Sequence, residues 1–296
     1  MAGPALPLDE ARARRVTELL SVASIEISPH DKLAGEGLCD FFAPGRIVFV
    51  NHPASATGGE IVAACIRLRR AGFVPVPHIA ARRLKSIDDA VDFLLRATDE
   101  ADIAEALLIG GDPSWPAGPF RDSLSLLESG LLECHGLDRV LFAGYPEGHP
   151  HITQAALDKA LTAKLTLAAQ RGLDPAIVTQ FGFEAPPIQA WVARLRARGI
   201  ACPVRIGLAG PASVVALVRF AVRCGVGNSL RALARGHTAF ARILTEATPD
   251  ALIDGLVAGE TDGGAIDGLH IFMFGGVART AAWLQTKFSP QRLIST

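Results

Sequence analysis

The sequence predicts an α/β fold: a (β/α)8 TIM barrel spanning residues 1–296 as a single catalytic domain, with extra helices before the last strand. Three observations carry this prediction. Eight short apolar runs recur along the chain, helical patterns separate them, and no long linker breaks the alternation. A chain of 296 residues also suits one α/β barrel. An open doubly wound sheet is the alternative, but no G-x-G-x-x-G turn follows an early strand.

The runs are SIEIS (24–28), RIVFVNH (46–52), FVPVPHIA (73–80), ALLIGGD (106–112), RVLFAGYP (139–146), AIVTQFGF (176–183), PVRIGLAG (203–210) and LHIFMFGG (269–276). Each is rich in Val, Ile, Leu and Phe and ends in Gly, Pro or a polar residue. These are the marks of strands buried on both faces. Between them, 60–72 places Ile61, Ala64, Cys65 and Leu68 on one helical face. Further helices are expected at 86–97, 120–132, 152–172 and 188–199. Ser86, with Asp88 and Asp89 behind it, reads as a helix start, and Gly72, Gly172 and Gly199 as helix stops. The gap at 211–268 is longer and holds two or three helices, including 229–244. Their faces suit self-association or packing on the barrel equally.

Bulk composition excludes several classes. Hydrophobic residues are 49% and charged residues 20%, which supports a large core. The net charge is −1 with no basic block, so phosphate-driven nucleic-acid binding is not expected. No run reaches the roughly 18 apolar residues of a membrane span. The first fifteen residues carry early acids and no apolar core, unlike a secretory leader. The cysteines, Cys39, Cys65, Cys134, Cys202 and Cys224, are odd in number and lack CxxC spacing. They read as reduced and mostly buried in a cytoplasmic protein.

In such a barrel, chemistry belongs at the C-terminal ends of the strands. The polar residues there are Glu26, Asn51, His52, His78, Asp112, Tyr145, Glu147, His149, Thr179 and Gln180. Each alone could be a strand cap; together they predict a pocket. Glu26 lies within an apolar strand, where burial favours the protonated form and suits a general acid. Asp112 follows Gly110 and Gly111, where backbone can approach a ligand. Gln180 offers a donor and an acceptor to a planar heterocycle, and Tyr145 can stack and hydrogen-bond. No HxH or HExxH pair points to a metal, and no Ser-His-Asp or Cys-His set is evident.

LLIGGDP, FAGYPEGHP, IVTQFGF, IEISP and VPHIA resemble segments of the methylenetetrahydrofolate reductase family. The resemblance covers about 20–280 and implies an FAD-binding barrel. It also implies an oxidoreductase of methionine biosynthesis and one-carbon metabolism. NADH or NADPH would reduce the flavin, which passes hydride to 5,10-methylenetetrahydrofolate to give 5-methyltetrahydrofolate. On that resemblance Glu26 is the general acid and Asp112 acts between flavin and folate. Gln180 and Phe181 bind substrate. Asn51, His78, Gly111, Tyr145, His149, Asp158 and Lys164 line the FAD site. The pattern departs at Gly110, Leu161 and Gly276, so the substrate side is better kept than the cofactor side. Alternatives are flavin-independent hydride transfer from NAD(P)H, and a folate- or pterin-dependent methyltransferase or lyase on the same barrel. A third is a non-catalytic binding protein, against which Glu26 argues.

Overall fold

The computed structural model describes residues 8–224, 226, 247–260 and 266–288. Eight strands form a closed barrel in sequence order. They are β1 (Ser24–Ile27), β2 (Ile47–Val50), β3 (Val74–Ala80), β4 (Glu105–Ile109), β5 (Arg139–Gly144), β6 (Asp174–Gly182), β7 (Val204–Ala209) and β8 (Gly268–Phe272). The pairs run parallel, as the buried, non-alternating sequence of each run requires. All eight strands fall within or beside the predicted runs. The helix expected at 229–244 lies outside the described residues. Among the described residues, no helix is long and apolar enough to cross a membrane.

The chain groups into two compact units. The first comprises Ser24–Gln180 with Cys202–Val204. It holds α2 (Gly58–Arg70), α3 (Ile87–Ala101), α4 (Ser123–Glu128), α5 (Leu131–Cys134) and α6 (Gln154–Gln170). Thr57 and Glu60 form a capping box at the start of α2, and Ser86 caps α3 by accepting from the Asp89 amide. At the other end of α2, Gly72 takes φ +86° while its amide donates to the Arg69 carbonyl. The Phe73 amide donates to the Leu68 carbonyl, completing a left-handed stop. Gly172 and Gly199 end their helices in the same way. The predicted 120–132 helix is two short ones, because Gly130 at φ +76° breaks it.

Inside this unit, alternate strand residues build one apolar layer. Phe49, Val76, Leu107, Leu141, Ala176 and Val178 pack together, with Ile47 and Ile109 against them. Burying such side chains contributes about 1.5–3 kcal/mol each. Pro75 and Pro77 sit inside β3 although proline cannot donate to a ladder. Pairing of β3 with β4 accordingly begins past them, at His78 opposite Leu107.

The second unit contains Phe181–Ala201, the chain from Arg205 onward, and α1 (Leu8–Ser21), a helix the sequence reading did not anticipate. Its other helices among the described residues are α7 (Ala185–Ala197), α8 (Val214–Cys224), α9 (Asp250–Ala258) and α10 (Val277–Phe288). Arg15 anchors α1 through two bonds of 2.9 Å to the Glu260 carboxylate and one of 2.8 Å to the Ile266 carbonyl. That bidentate fork has the geometry of a strong ion pair.

The cysteines are all free, but the expectation that most are buried is corrected. Cys65 is buried, whereas Cys39 and Cys134 are exposed and Cys202 and Cys224 half-buried. Cys65 falls on the barrel-facing stripe of α2; Cys39 lies in a surface turn and Cys134 at the last position of a one-turn helix.

Candidate functional site

Strand parity decides which side chains enter the mouth of the barrel. Glu26 is in register with Phe49, and Phe49 with Val76, so Glu26 shares the face of the interior layer. Two residues on from Phe49 is Asn51, and two on from Val76 is His78. By the same count Tyr145 follows Leu141 and Ala143, and Gln180 follows Val178. The sequence thus threads polar residues onto the inner face at the ends of β1, β2, β3, β5 and β6.

Glu26, Asn51 and His78 meet. Asn51 Nδ2 donates to Glu26 Oε1 at 3.1 Å, and His78 Nε2 lies 3.4 Å from Glu26 Oε2. The Glu26 and His78 side chains are 13% and 10% exposed, so the pair is largely withdrawn from water. The His78 ring stands edge-on to Phe49, with centroids 6.0 Å apart. A carboxyl and an imidazole this close can hold one proton between them, the arrangement that acid–base chemistry uses. Asn51 Oδ1 is buried and has no hydrogen-bond partner among the described residues. A buried acceptor left open beside a carboxylate is suited to a ligand that brings N–H donors.

Around this centre runs a basic and acidic rim. Arg83, three residues past β3, places Nη2 3.8 Å from Asp112 Oδ2 and donates from Nη1 to the Ala54 carbonyl at 3.3 Å. Asp112 itself is exposed, its side chain 73% open to solvent. The His52 pKa is held to about 4 by burial first, then by the Arg83 and His78 charges, so the ring is neutral near pH 7. The loop after β4 is stitched to this rim by the Ala117 amide, which donates to the Arg82 carbonyl at 2.8 Å. Arg82 in turn donates to the carbonyls of Arg121 and Pro113. Arg83 was not anticipated; its signal was the basic pair placed directly after the third strand.

Tyr145 and His149 are joined by a turn in which the Gly148 amide donates to the Tyr145 carbonyl, and their rings meet edge-on at 5.3 Å. Burial, then the neighbouring His151, lowers the His149 pKa. Gly111, at φ +91°, packs where a Cβ would lie 3.2 Å from the Ala80 Cβ. Asp158 accepts from the Gln154 side-chain amide at 2.9 Å on α6. Phe181 is buried in the second unit, edge-on to Phe183, Phe272 and Phe274.

Lys164 does not join the mouth. Its Nζ lies 3.4 Å from Ser123 Oγ and 5.1 Å from the centre of the Phe142 ring. Phe142 alternates with the inward Leu141, so it points outward, and Lys164 is buried in the layer between strand and helix. Of the residues implied for a flavin, Lys164 therefore faces the strand–helix layer and not the mouth. Among the described residues, no three of His, Cys, Asp and Glu are grouped as metal ligands.

No family model matches the chain. Its fold is similar to a dihydropteroate synthase (FolP) of Thermus thermophilus, at 13% identity and TM-score 0.47, covering 92% of this chain and 93% of that one. A structure of dihydropteroate synthase from the same organism in complex with 6HMPPP matches at 12% identity and TM-score 0.47, covering 91% and 95%. Two expectations are corrected: no family model supports assignment to the methylenetetrahydrofolate reductase family, and the oxidoreductase activity implied by that resemblance is withdrawn.

Proposed function

We propose that the chain is a pterin- or folate-dependent enzyme that transfers or removes a one-carbon group, as a methyltransferase or lyase, with Glu26 as the proton donor. The observation that carries this reading is the Glu26 carboxyl held by Asn51 Nδ2, with the open acceptor Oδ1 of the same amide beside it. A 2-amino-4-oxopyrimidine ring presents N–H donors, one of which the open Asn51 Oδ1 can accept, leaving the Glu26 carboxyl to the proton transfer. Gln180, on the same inner face, adds a donor and an acceptor for the rest of that edge.

The chemistry is non-redox. When the bond between a pterin nitrogen and its one-carbon group breaks, the electron pair returns to nitrogen. Glu26 supplies the proton that makes this nitrogen a neutral amine, and the carbon passes to an acceptor nucleophile. His78, 3.4 Å away, can return a proton to Glu26 afterwards. General acid catalysis of this kind contributes about 10²–10⁴-fold in rate.

The test pairs binding with turnover. Wild-type protein is expected to bind 6-methylpterin and to convert 5-methyltetrahydrofolate to tetrahydrofolate with a thiol acceptor. Glu26→Gln is expected to lose turnover by about 100-fold or more while binding shifts by a few-fold at most. Absence of 6-methylpterin and folate binding in equilibrium dialysis would overturn the reading. Flavin bands in the visible spectrum of the purified protein would overturn its non-redox part and restore FAD to consideration.

A further inference from the structure

We propose that Arg83 is the anchor of an oxyanion subsite at the barrel mouth, holding a carboxylate or phosphate of the ligand beside the Glu26 centre. The inference rests on the mouth being the ligand site, but not on the ligand being a pterin.

Arg83 sits where three loops meet. It belongs to the turn after β3, donates to Ala54 in the segment after β2, and faces Asp112 in the segment after β4. Its side chain is 17% exposed, yet it is poorly partnered for a withdrawn guanidinium. The 3.8 Å approach of Asp112 exceeds hydrogen-bond length, and Nε is buried with no partner among the described residues. Of five N–H donors, one is engaged by a protein carbonyl among the described residues. A planar fork with unmet donors at a pocket rim is matched by a two-oxygen anion.

The neighbours support this role. Asp112 is largely exposed, so it can yield to an incoming anion rather than compete from a fixed position. Arg82 is committed to the Arg121 and Pro113 carbonyls and stiffens the rim instead. His52 adds no competing charge near neutral pH. Glu26 is engaged with Asn51 and His78. The site therefore sets one cation apart from the proton-handling centre, and a ligand can be read at both ends.

The experiment has two arms, each run on wild type, Arg83→Met and Arg83→Lys, with folding checked by circular dichroism. In the first, inorganic phosphate and acetate are titrated at low ionic strength. Wild type is expected to bind phosphate, Arg83→Met about tenfold or more weakly, and Arg83→Lys in between. Asp112→Asn is expected to bind phosphate a few-fold more tightly than wild type. Stronger binding of phosphate than acetate assigns the subsite to phosphate, and the reverse to carboxylate. In the second arm, wild type is expected to prefer pterin-6-carboxylate over 6-methylpterin about tenfold or more, and Arg83→Met to lose that preference. Equal preference in wild type and Arg83→Met, together with phosphate and acetate binding that Arg83→Met leaves unchanged, would overturn the subsite while leaving the pterin reading intact. Arg83-dependent phosphate binding with no binding of either pterin would support the subsite and overturn the pterin reading.

Discussion

Asn51 Nδ2 donates a hydrogen bond to Glu26 Oε1 across 3.1 Å, joining the ends of β1 and β2 through their inward side chains. This contact gives a partly buried carboxyl a fixed orientation. Asn51→Ala should therefore cost both stability and turnover. Loss of one such hydrogen bond corresponds to about 0.5–1.5 kcal/mol. A double-mutant cycle with Glu26→Ala, read by urea unfolding, should return a coupling of about 1 kcal/mol or more. Additive effects would show that the two side chains act independently.

The loop after β4 depends on a close backbone approach at Gly118. A Cβ there would lie 2.4 Å from the Lys85 carbonyl oxygen and 2.5 Å from that of Leu84. Both are backbone atoms and cannot turn aside. Gly118→Ala should destabilise the protein by about 1–3 kcal/mol, as overpacking does. It should also loosen the Ala117–Arg82 contact and weaken phosphate binding at Arg83. A urea midpoint shift with unchanged phosphate affinity would separate the loop from the rim.

The barrel was legible because each strand is a short apolar run and α2, α3, α6 and α7 each carry a start or stop residue. The inner-face polar set was legible for the same reason: parity from Phe49 to Asn51 and from Val76 to His78 is a property of sequence. Lys164 was misplaced in that reading because helix residues follow no such parity toward the mouth. Its direction is set by packing against Phe142 and Ser123, which are distant in sequence. Arg83 was missed because its partners, Ala54 and Asp112, come from two other loops. The family resemblance rested on loop text, and short matching segments fix turn chemistry more firmly than activity.

His52 should impose an acid limit on stability. Its folded pKa is about 4, against an ordinary 6.5. Between those values the unfolded chain binds a proton that the folded chain refuses, so stability falls as pH drops through that window. Above about 6.5 the effect is absent. His52→Asn should flatten the slope of unfolding free energy over this range. Arg83→Met should raise the His52 pKa in an NMR titration, because the Arg83 charge is the second cause of its depression. An unmoved titration would show that burial alone sets it.

Lys164 should act at the opposite end of the pH scale. Burial lowers its pKa from 10.5 to about 8, against a smaller upward pull from Asp122. The folded state therefore bears the cost of a buried charge at every pH below about 8. As pH rises through about 8 toward 10.5, the folded amine loses its proton while the unfolded one keeps it, and stability increases. A displacement of that size corresponds to about 3 kcal/mol at most. Lys164→Met keeps the packing on Phe142 and removes the charge, so it should raise stability at neutral pH by about 1–3 kcal/mol. It should also abolish the rise between pH 8 and pH 10.5. Because Lys164 lies outside the mouth, the same variant should bind phosphate and 6-methylpterin as wild type does. Weakened binding of either probe in a folded Lys164→Met protein would place this lysine back in the ligand site.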